Sequence, residues 1–391
     1  MRRAPTLPLA GFAALAVAAW VEGCAHHSPA PPLTPPIVVA PPPARPMVRV
    51  DPPALADDLP LAPLLDAAAA QADWLERSAK VARFAFGELT VDKADYLADL
   101  RHFVALGRAA ATPAAFHAAI KREFVFFASP DDLLVTSYFE PVLDGARAPS
   151  ARFSQPLYGP PAEATARQPT FTRAQIDREQ ALAGRGLELC WVDPFDAFVL
   201  QTEGSGTVAF SDGKLLPLDY AGNNGQPHRR LGPYLKETLA KGKGPLNLHT
   251  MEAYLRSLPV DEMRQILEKN PRYVFFQPRR GSGPSTSLGL PATDGRTLAS
   301  DPNVYPKGAL GFLVTEQPRM NGTDVESWYT LTRFVLDQDT GSGIIGAHVD
   351  LYWGRGADAG RIAGVMKQRG RLYYLLGGKS YTAATTKRGL P

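Results

Sequence analysis

Cysteine is nearly absent from this sequence, whose 391 residues include only Cys24 and Cys190. That number excludes a disulfide framework and a cysteine-rich zinc site. Cys190 lies in an apolar run, a position typical of a buried core thiol rather than a nucleophile. A calcium loop starting at Asp337 does not fit either, because its twelfth position is His348 rather than a glutamate. We expect no metal and no cofactor.

The chain also lacks an excess of charge of one sign and a long hydrophobic run. Its 42 Lys and Arg residues and 39 Asp and Glu residues leave a net charge of +3, with both signs interspersed. This distribution contains no basic stripe, which excludes a nucleic-acid-binding protein. The apolar run from Leu7 to Trp20 is too short to span a bilayer, but it has the length of a signal-peptide core.

The residues around this run predict export and a lipid anchor. Two arginines precede it, and Val21 to Cys24 resembles a bacterial lipobox, in which Cys24 receives the lipid. Glu22 departs from that pattern, and an ordinary signal peptide with an incidental cysteine is the alternative. Because Ala25 follows the cysteine, the resemblance implies anchorage at the periplasmic face of the outer membrane of a Gram-negative bacterium. We assign residues 1–24 to this segment.

Proline dominates residues 25–63, as in the run PPLTPPIVVAPPPARP. This composition favours extended polyproline conformers that bury no core, so we interpret the segment as a tether from a membrane into the cell wall. Residues 64–128 then have the apolar spacing of helices, with Thr112 as an N-cap and Pro113 in the first turn. From Leu133 onward, β-branched and aromatic residues predict strands.

The remaining pattern is mainly β. Strand runs and turns over residues 170–224 predict a small β-barrel or a compact antiparallel sheet. Helical spacing returns over residues 232–242 and 250–270. A final series of short strands without intervening helices predicts a closed barrel.

The stretch from Asp339 to Gly354, DTGSGIIGAHVDLYWG, contains two aspartates separated by a glycine-rich turn. In a strand, His348, Asp350 and Tyr352 would share one polar face, and the residues between them an apolar face. The glycines allow a tight reversal, so Asp339 and Asp350 could form a two-carboxylate site. The simpler alternative, which the spacing alone favours, is a hairpin with one turn-capping and one solvated aspartate.

Seven separated motifs follow one another over roughly residues 130–378. They are SYFEPVLDG, PLYGPP, WVDPFDAFVLQTEGSG, YAGNNGQPHRRLG, NPRYVFFQ, SLGLPATDGRTLASDPNVYPKGA and DTGSGIIGAHVDLYWGRGADAGRIAG. In this order they resemble the membrane-bound lytic murein transglycosylase A family. The resemblance implies a mainly β fold with helices in its N-terminal part, in which a double-psi β-barrel domain carries an inserted second small β-barrel domain. We expect the first domain over residues 64–140 and 280–380, and the inserted substrate domain over residues 141–279.

The same resemblance implies the site residues. The three-aspartate signature of the family corresponds to Asp301, Asp339 and Asp350, with Asp350 as the catalytic acid and the other two in support. Glu203 stands where the family usually has glutamine before Gly-Ser-Gly. Substrate contacts are expected from Tyr138, Glu140, Glu203, Gly204, Ser205, Gly206 and Tyr352.

The implied activity is lytic transglycosylation, the cleavage of the β-1,4 bond between N-acetylmuramic acid and N-acetylglucosamine in peptidoglycan. One aspartate acts first as an acid and then as a base toward the substrate's own 6-hydroxyl, so the product is a 1,6-anhydro sugar. The expected partners are peptidoglycan glycan strands, a membrane through the lipid anchor, and proteins of cell-wall synthesis or division.

Two alternatives stay open at this point. One is a non-catalytic cell-wall-binding barrel similar to expansins, in which the aspartates serve the structure. The other is an aspartic protease, because Asp339-Thr340-Gly341-Ser342 copies the catalytic loop of that class. A protease of that kind needs two such loops, and the chain contains one.

Overall fold

The computed structural model describes residues 47–129, 133–164, 169–235, 246–281 and 283–388. The signal peptide, Cys24 and most of the proline-rich segment lie outside these residues, so their assignments stay predictions. Within the described part of the chain, no helix combines the length and the apolar character that crossing a bilayer requires.

Helices form much of the N-terminal part, as their apolar spacing predicts. They are α1 (Leu61–Arg77), α2 (Lys93–Ala109) and α3 (Pro113–Glu123). The predicted N-cap of α3 is confirmed, because the Thr112 hydroxyl accepts a hydrogen bond from the backbone N–H of Ala115 at 3.2 Å. Pro113 occupies the first turn, where its missing N–H costs no helical hydrogen bond.

Two segments expected to be helical are strands. The strand β2 (Arg83–Phe86) forms a hairpin with β3 (Leu89–Asp92), and β4 (Phe124–Ala128) directly follows α3. In β2, Phe84 and Phe86 are buried while the residues before them are exposed. This alternation has the period of a strand, and only the core beneath it distinguishes it from the end of a helix.

The end of the proline-rich segment is not a free tether. The strand β1 (Val48–Val50) pairs antiparallel with β4. Asp57 then forms an ion pair of 2.7 Å with Arg296, and both side chains are almost fully buried. Our boundary at residue 63 was therefore wrong, because a strand pairing and a buried acidic side chain bind this segment to the folded domain.

The first barrel is a closed ring of six strands. They are β5 (Leu133–Glu140), β12 (Thr297–Ser300), β13 (Leu310–Asn321), β14 (Asp324–Asp339), β15 (His348–Arg355) and β16 (Lys367–Gly377). The order around the ring is β16, β13, β14, β12, β15 and β5, and β5 pairs again with β16. The pairs β12–β14 and β15–β5 are parallel, so the chain must cross over between them.

The barrel and the N-terminal helices share one apolar core. Phe103 of α2, Phe116 of α3 and Phe334 of β14 meet there, with ring centroids 5.2 to 5.7 Å apart. Aromatic packing of this kind adds to the free energy of burying the rings. The helices are therefore fixed against one side of the barrel.

A second six-stranded sheet lies in the chain between β5 and β12. Its strands are β6 (Val142–Ala146), β7 (Gln155–Tyr158), β8 (Glu188–Val192), β9 (Gly206–Phe210), β10 (Leu215–Asn223) and β11 (Val274–Pro278). The order is β11, β10, β9, β6, β8 and β7. The two edge strands approach each other where the Tyr273 hydroxyl donates to the Pro156 carbonyl at 3.2 Å, so the sheet is nearly closed.

Two segments that we assigned to strand runs in this region are helices, α4 (Arg173–Asp177) and α5 (Pro194–Glu203). Asp193 caps α5 by accepting hydrogen bonds from two backbone N–H groups, at 2.9 and 3.2 Å. Gly204 ends the helix in the left-handed conformation, with φ of 84°. The strand prediction was wrong because α5 is buried on most sides, so no polar stripe marks its helical period.

The other helices surround this region and the end of the chain. They are α6 (Leu248–Arg256), α7 (Val260–Leu267), α8 (Gly356–Ala363) and α9 (Gly378–Arg388). The helical prediction over residues 250–270 is confirmed, whereas the one over 232–242 lies mostly outside the described residues. Because α8 separates β15 from β16, the last strands are not the uninterrupted series that we expected.

The predicted fold class is confirmed. The chain is mainly β with helices, and a closed six-stranded barrel is interrupted by a second, nearly closed one. Pro141 alone separates the last residue of β5 from the first residue of β6, so the chain enters the second barrel directly from the first, and it returns through the segment between β11 and β12.

Candidate functional site

A cleft of about 650 Å³ lies between the two barrels. One wall comes from the strands of the first barrel and the loop after β14, and the other from α5 and the second barrel. Its lining includes Tyr138, Ala299, Asp339, Thr340 and Asp350 on the first wall, and Gln201, Glu203, Asp219, His228 and Arg272 on the second.

Asp339 and Asp350 reach this cleft from strands that are not neighbours. The short strand β12 lies between β14 and β15, and its Ala299 pairs with Asp339 on one side and with Asp350 on the other. At a strand spacing of about 4.8 Å, the two aspartate backbones are roughly 10 Å apart. The stretch is therefore not a hairpin, and the small side chain of Ala299 leaves room between the two carboxyls.

An irregularity in β14 directs Asp339 toward the cleft. The register against β12 shifts between Asp337 and Asp339, as in a β-bulge. Asp337 is fully buried in the barrel, where it accepts hydrogen bonds from Ser300 at 2.7 Å and from Lys307 at 2.5 Å. Lys307 also donates to the backbone carbonyl of Asp339, so this buried network holds the end of β14.

Asp350 accepts one hydrogen bond from a neighbouring side chain. Thr136 on β5 donates to its Oδ1 at 2.7 Å. The pKa of Asp350 is raised to about 7, mainly by burial; the hydrogen bond from Thr136 opposes the rise, and the negative charge of Asp339 adds to it. A carboxyl with this pKa keeps its proton in a large fraction of molecules at neutral pH and can donate it.

His348 supports Thr136 from the other side. Its Nε2 lies 2.8 Å from the Thr136 hydroxyl oxygen. Burial lowers the pKa of His348 to about 4, and the positive charge of Arg230 contributes. The ring is therefore neutral at neutral pH and positions Thr136 without adding a charge beside Asp350.

Asp339 is held by three hydrogen-bond donors. The backbone N–H groups of Ser287 and Thr340 and the hydroxyl of Tyr138 each lie 2.9 Å from its carboxyl oxygens. Burial raises the pKa of Asp339, whereas these donors and the charge of Lys307 oppose the rise. Donors on both oxygens favour the ionised form, which suits a fixed negative neighbour for Asp350.

Glu203 brings a third carboxyl to the cleft from the end of α5. Its Oε2 accepts a hydrogen bond from the backbone N–H of Phe139 at 3.2 Å. Burial raises the pKa of Glu203 to about 8, and the charge of Asp350 adds to the rise. A protonated glutamate offers one acceptor and one donor, much as the amide of a glutamine does.

Asp301 lies beside the site rather than in the cleft. Its side chain is buried, with 7% exposure, and accepts hydrogen bonds from the backbone N–H groups of Gly346 and Asn303, both at 2.9 Å. Gly346 belongs to the loop that leads into β15. Asp301 therefore fixes the approach to the strand that carries Asp350.

The predicted substrate-binding residues divide into two groups. Those that line the cleft are Tyr138, Glu203, Gly204 and Ser205. Glu140, Gly206 and Tyr352 are buried below its surface, in contrast to our expectation. Glu140 pairs with Arg279 at 2.9 Å, and the Tyr352 ring packs against Tyr138 at 5.2 Å. Tyr352 is only 2% exposed, and the Tyr138 ring from the neighbouring strand β5 packs against it.

Sequence reasoning missed three residues of the site. Thr136 and Ala299 adjoin the two aspartates only through strand register, for which the sequence carries no signal. Gln201 lines the cleft from α5, and within the described part of the chain neither atom of its buried amide has a hydrogen-bond partner. Its position two residues before Glu203 carries no signal even in a helix, because side chains two residues apart do not share a face.

Comparisons with known proteins agree with this architecture. The MltA specific insert domain matches residues 134–277 and the 3D domain matches residues 296–376. A membrane-bound lytic murein transglycosylase A from Vibrio cholerae is 32% identical over 246 residues, which cover 62% of this chain and 65% of that protein.

Two solved structures extend the similarity to most of the chain. The lytic transglycosylase LtgG of Burkholderia pseudomallei is 32% identical, with 86% of this chain and 96% of that chain covered and a TM-score of 0.54. Escherichia coli MltA with bound chitohexaose is 22% identical, with 84% and 94% covered and a TM-score of 0.64, and it supports the fold. The chain therefore belongs to the membrane-bound lytic murein transglycosylase A family.

Proposed function

We propose that this protein is a lytic transglycosylase that cleaves the β-1,4 bond between N-acetylmuramic acid and N-acetylglucosamine in peptidoglycan. The observation that carries the proposal is Asp350, a partly buried carboxyl that lines the cleft and has a pKa raised to about 7. The names of the relatives support the reaction, and the chitohexaose bound to the Escherichia coli protein supports an N-acetylated glycan as the occupant of the cleft.

The first step needs an acid. Protonated Asp350 donates its proton to the oxygen of the glycosidic bond, and the bond from that oxygen to C1 of N-acetylmuramic acid breaks. The N-acetylglucosamine part leaves with the proton. Asp350 becomes a carboxylate, and the hydrogen bond from Thr136 stabilises this charged form.

The second step needs a base. The Asp350 carboxylate removes the proton of the 6-hydroxyl of the same N-acetylmuramic acid, and O6 forms a bond to C1. The product is a 1,6-anhydro end, Asp350 is protonated again, and no water is consumed. One carboxyl therefore replaces the pair that a glycoside hydrolase uses.

The other residues adjust the pKa of Asp350, order the loop before its strand, or contact the sugar. Asp339 keeps a negative charge near Asp350 and so favours its protonated form. Asp301 orders the loop before β15 through Gly346. Tyr138, Glu203 and the backbone at Gly204 and Ser205 are the proposed contacts with the sugar, with the unpartnered amide of Gln201 as a further candidate.

The cellular location is part of the proposal. Export through the N-terminal segment and lipidation of Cys24 would hold the domain at the periplasmic face of the outer membrane, within reach of the glycan strands. The description of the relatives as membrane-bound supports this placement. Incorporation of a labelled fatty acid in cells, which a Cys24→Ala variant should abolish, tests the anchor.

The activity is tested by mass analysis of the products from purified peptidoglycan. We expect 1,6-anhydro-muropeptides from the wild type and, over the same time, about 10³-fold less from Asp350→Asn. The matched control is Asp358→Asn, because Asp358 follows β15 closely and its side chain is 87% exposed. Products that carry the elements of water at the new end, or an active Asp350→Asn protein, contradict the mechanism.

The same experiment separates the alternative functions. Binding to peptidoglycan without any new product favours a wall-binding barrel similar to expansins. Cleavage of casein in a parallel sample favours an aspartic protease. An aspartic protease would need a second carboxyl beside Asp339. The strand β12 lies between the strands of Asp339 and Asp350, and its Ala299 separates the two residues.

A further inference from the structure

One wall of the cleft carries positive charge. Arg272 lines the cleft on the side of the second barrel, together with His228, whose ring is uncharged at neutral pH because its pKa is lowered. Arg230 lies nearby and donates a hydrogen bond to the backbone carbonyl of Gly343, at 3.4 Å. We name His228, Arg230 and Arg272 the basic wall.

The two arginines of the basic wall have no acidic partner. Among the described residues no carboxylate lies within ion-pair distance of Arg230 or Arg272, and the guanidinium of Arg272 makes one long hydrogen bond, 3.4 Å, to a backbone carbonyl. Arg279 of the same barrel differs, because it is buried and pairs with Glu140 at 2.9 Å. The charges of Arg230 and Arg272 are therefore balanced by solvent ions or by a bound ligand.

The acidic residues of the cleft are engaged elsewhere. Asp219 is bound by Arg279 at 2.8 Å and by the Ser285 hydroxyl at 3.1 Å. Asp339 is held by the donors described above, and Asp350 by Thr136. None of these three carboxylates therefore forms an ion pair with Arg230 or Arg272.

The electrostatics of His228 support this arrangement. Burial lowers the pKa of His228, and the positive charges of Arg272, Arg230 and Arg173 lower it further. Several guanidinium groups therefore converge on this ring. Such a concentration of like charge in a concave surface attracts anions and is relieved when one binds.

The backbone of an N-acetylated glycan is neutral, so it does not balance these charges. In peptidoglycan the carboxylates belong to the peptides attached to N-acetylmuramic acid. We propose that the basic wall binds a carboxylate of this peptide through Arg230 and Arg272, and so favours strands that still carry peptides. Guanidinium groups are suited to this binding because they can form two parallel hydrogen bonds to one carboxylate. The inference rests on the proposed function.

The position of the basic wall fits this role. Gly343, which Arg230 contacts, belongs to the loop that follows Asp339, and both line the cleft. A glycan bound over Asp350 would therefore lie beside the basic wall. A peptide leaving one of its N-acetylmuramic acids toward the second barrel would meet the two arginines.

The test compares three substrates: strands with peptides, strands from which an amidase has removed the peptides and whose freed lactyl carboxylates have been converted to amides, and strands whose peptide carboxylates have been converted to amides. We expect the lowest KM on the first. Arg272→Gln and Arg230→Gln should each raise KM on that substrate about ten-fold, with kcat nearly constant, and raise it less than about two-fold on the other two. Added salt should reduce the preference in the same way.

Arg152→Gln is the control, because Arg152 is an exposed arginine of the second barrel outside the cleft. It should change KM on none of the substrates. Equal KM values of the wild type on all three substrates, or equal losses in the arginine variants, overturn the inference. A wild-type protein that forms no anhydro product from any of them overturns the proposed function instead.

Discussion

Thr136 donates a 2.7 Å hydrogen bond to Asp350 across the parallel pairing of β5 and β15. The donor favours the charged form of the carboxyl, and it therefore lowers the pKa of Asp350 against the effect of burial. The Thr136 hydroxyl thus keeps the protonated and the ionised forms of Asp350 close in free energy, and Asp350 needs both forms to act first as an acid and then as a base.

Replacement of this donor should move the pH profile. In Thr136→Val the pKa of Asp350 rises further, by about half a unit to one unit, so the alkaline limb of kcat/KM moves to higher pH. The maximal rate should fall, because the carboxylate formed in the first step loses its donor. A profile identical to that of the wild type would contradict the role of Thr136, and Thr136→Ser should restore it.

Loss of the negative charge of Asp339 should shift the pKa of Asp350 in the opposite direction. In Asp339→Asn the repulsion that helps to keep Asp350 protonated is gone, so the pKa of Asp350 falls and the alkaline limb moves to lower pH. Activity near pH 7 should decrease, since less of the acid form is present. The measurement is the pH dependence of anhydro-product formation, and an unchanged profile with a lower rate would indicate a purely structural role.

Removal of the acid itself should slow the reaction strongly without unfolding the protein. We expect Asp350→Asn to reduce kcat by about 10³-fold, the usual scale of general acid catalysis. Binding of glycan strands should persist, because the cleft keeps its shape. A kcat within ten-fold of that of the wild type would assign the acid to another residue, and Asp358→Asn provides the control for a charge removed nearby.

The raised pKa of Glu203 can be tested through the pH dependence of protein stability. Its pKa in the folded protein, about 8, is above its ordinary value, so the folded state binds a proton that the unfolded state has released. Stability from this group is present at low pH and is lost as the pH rises through about 8. Glu203→Gln cannot ionise, so its melting temperature relative to wild type should rise between pH 6 and pH 9. A constant difference would mean that Glu203 is already ionised in the folded protein.

The buried pair of Asp57 and Arg296 predicts a large effect far from the cleft. Asp57→Ala leaves the Arg296 guanidinium buried with backbone carbonyls as its remaining partners. The free energy of unfolding should fall by about 3–5 kcal/mol, as for other buried pairs that lose one partner. Urea unfolding measures it, with Asp51→Ala as an exposed control from the same segment. A change below about 1 kcal/mol would show that the segment is not bound to the barrel in solution.

Local signals determined much of the architecture. The cap at Thr112 with Pro113 after it marked the start of α3, and β-branched runs marked β5, β13, β14 and β16. These predictions succeeded because capping and strand propensity act over a few residues. Where burial decides the secondary structure, as in α5, the local pattern was ambiguous.

The sequence predicted only part of the candidate site. The motifs and their family resemblance brought out Asp339, Asp350 and Glu203, all of which line one cleft. They gave no indication that Glu140 and Tyr352 are buried beneath it. Burial of a particular side chain depends on which elements cover its strand, and those elements come from distant parts of the sequence.

The sequence by itself determined that two aspartates lie on either side of a glycine-rich loop in a chain built of strands. Only the tertiary structure decided how they face each other. The strand β12 inserts between their strands, and Ala299 pairs with both aspartates. That arrangement depends on parallel pairings and crossovers between segments distant in sequence. A local pattern of residues cannot encode such pairings, because their stability comes from closing the barrel.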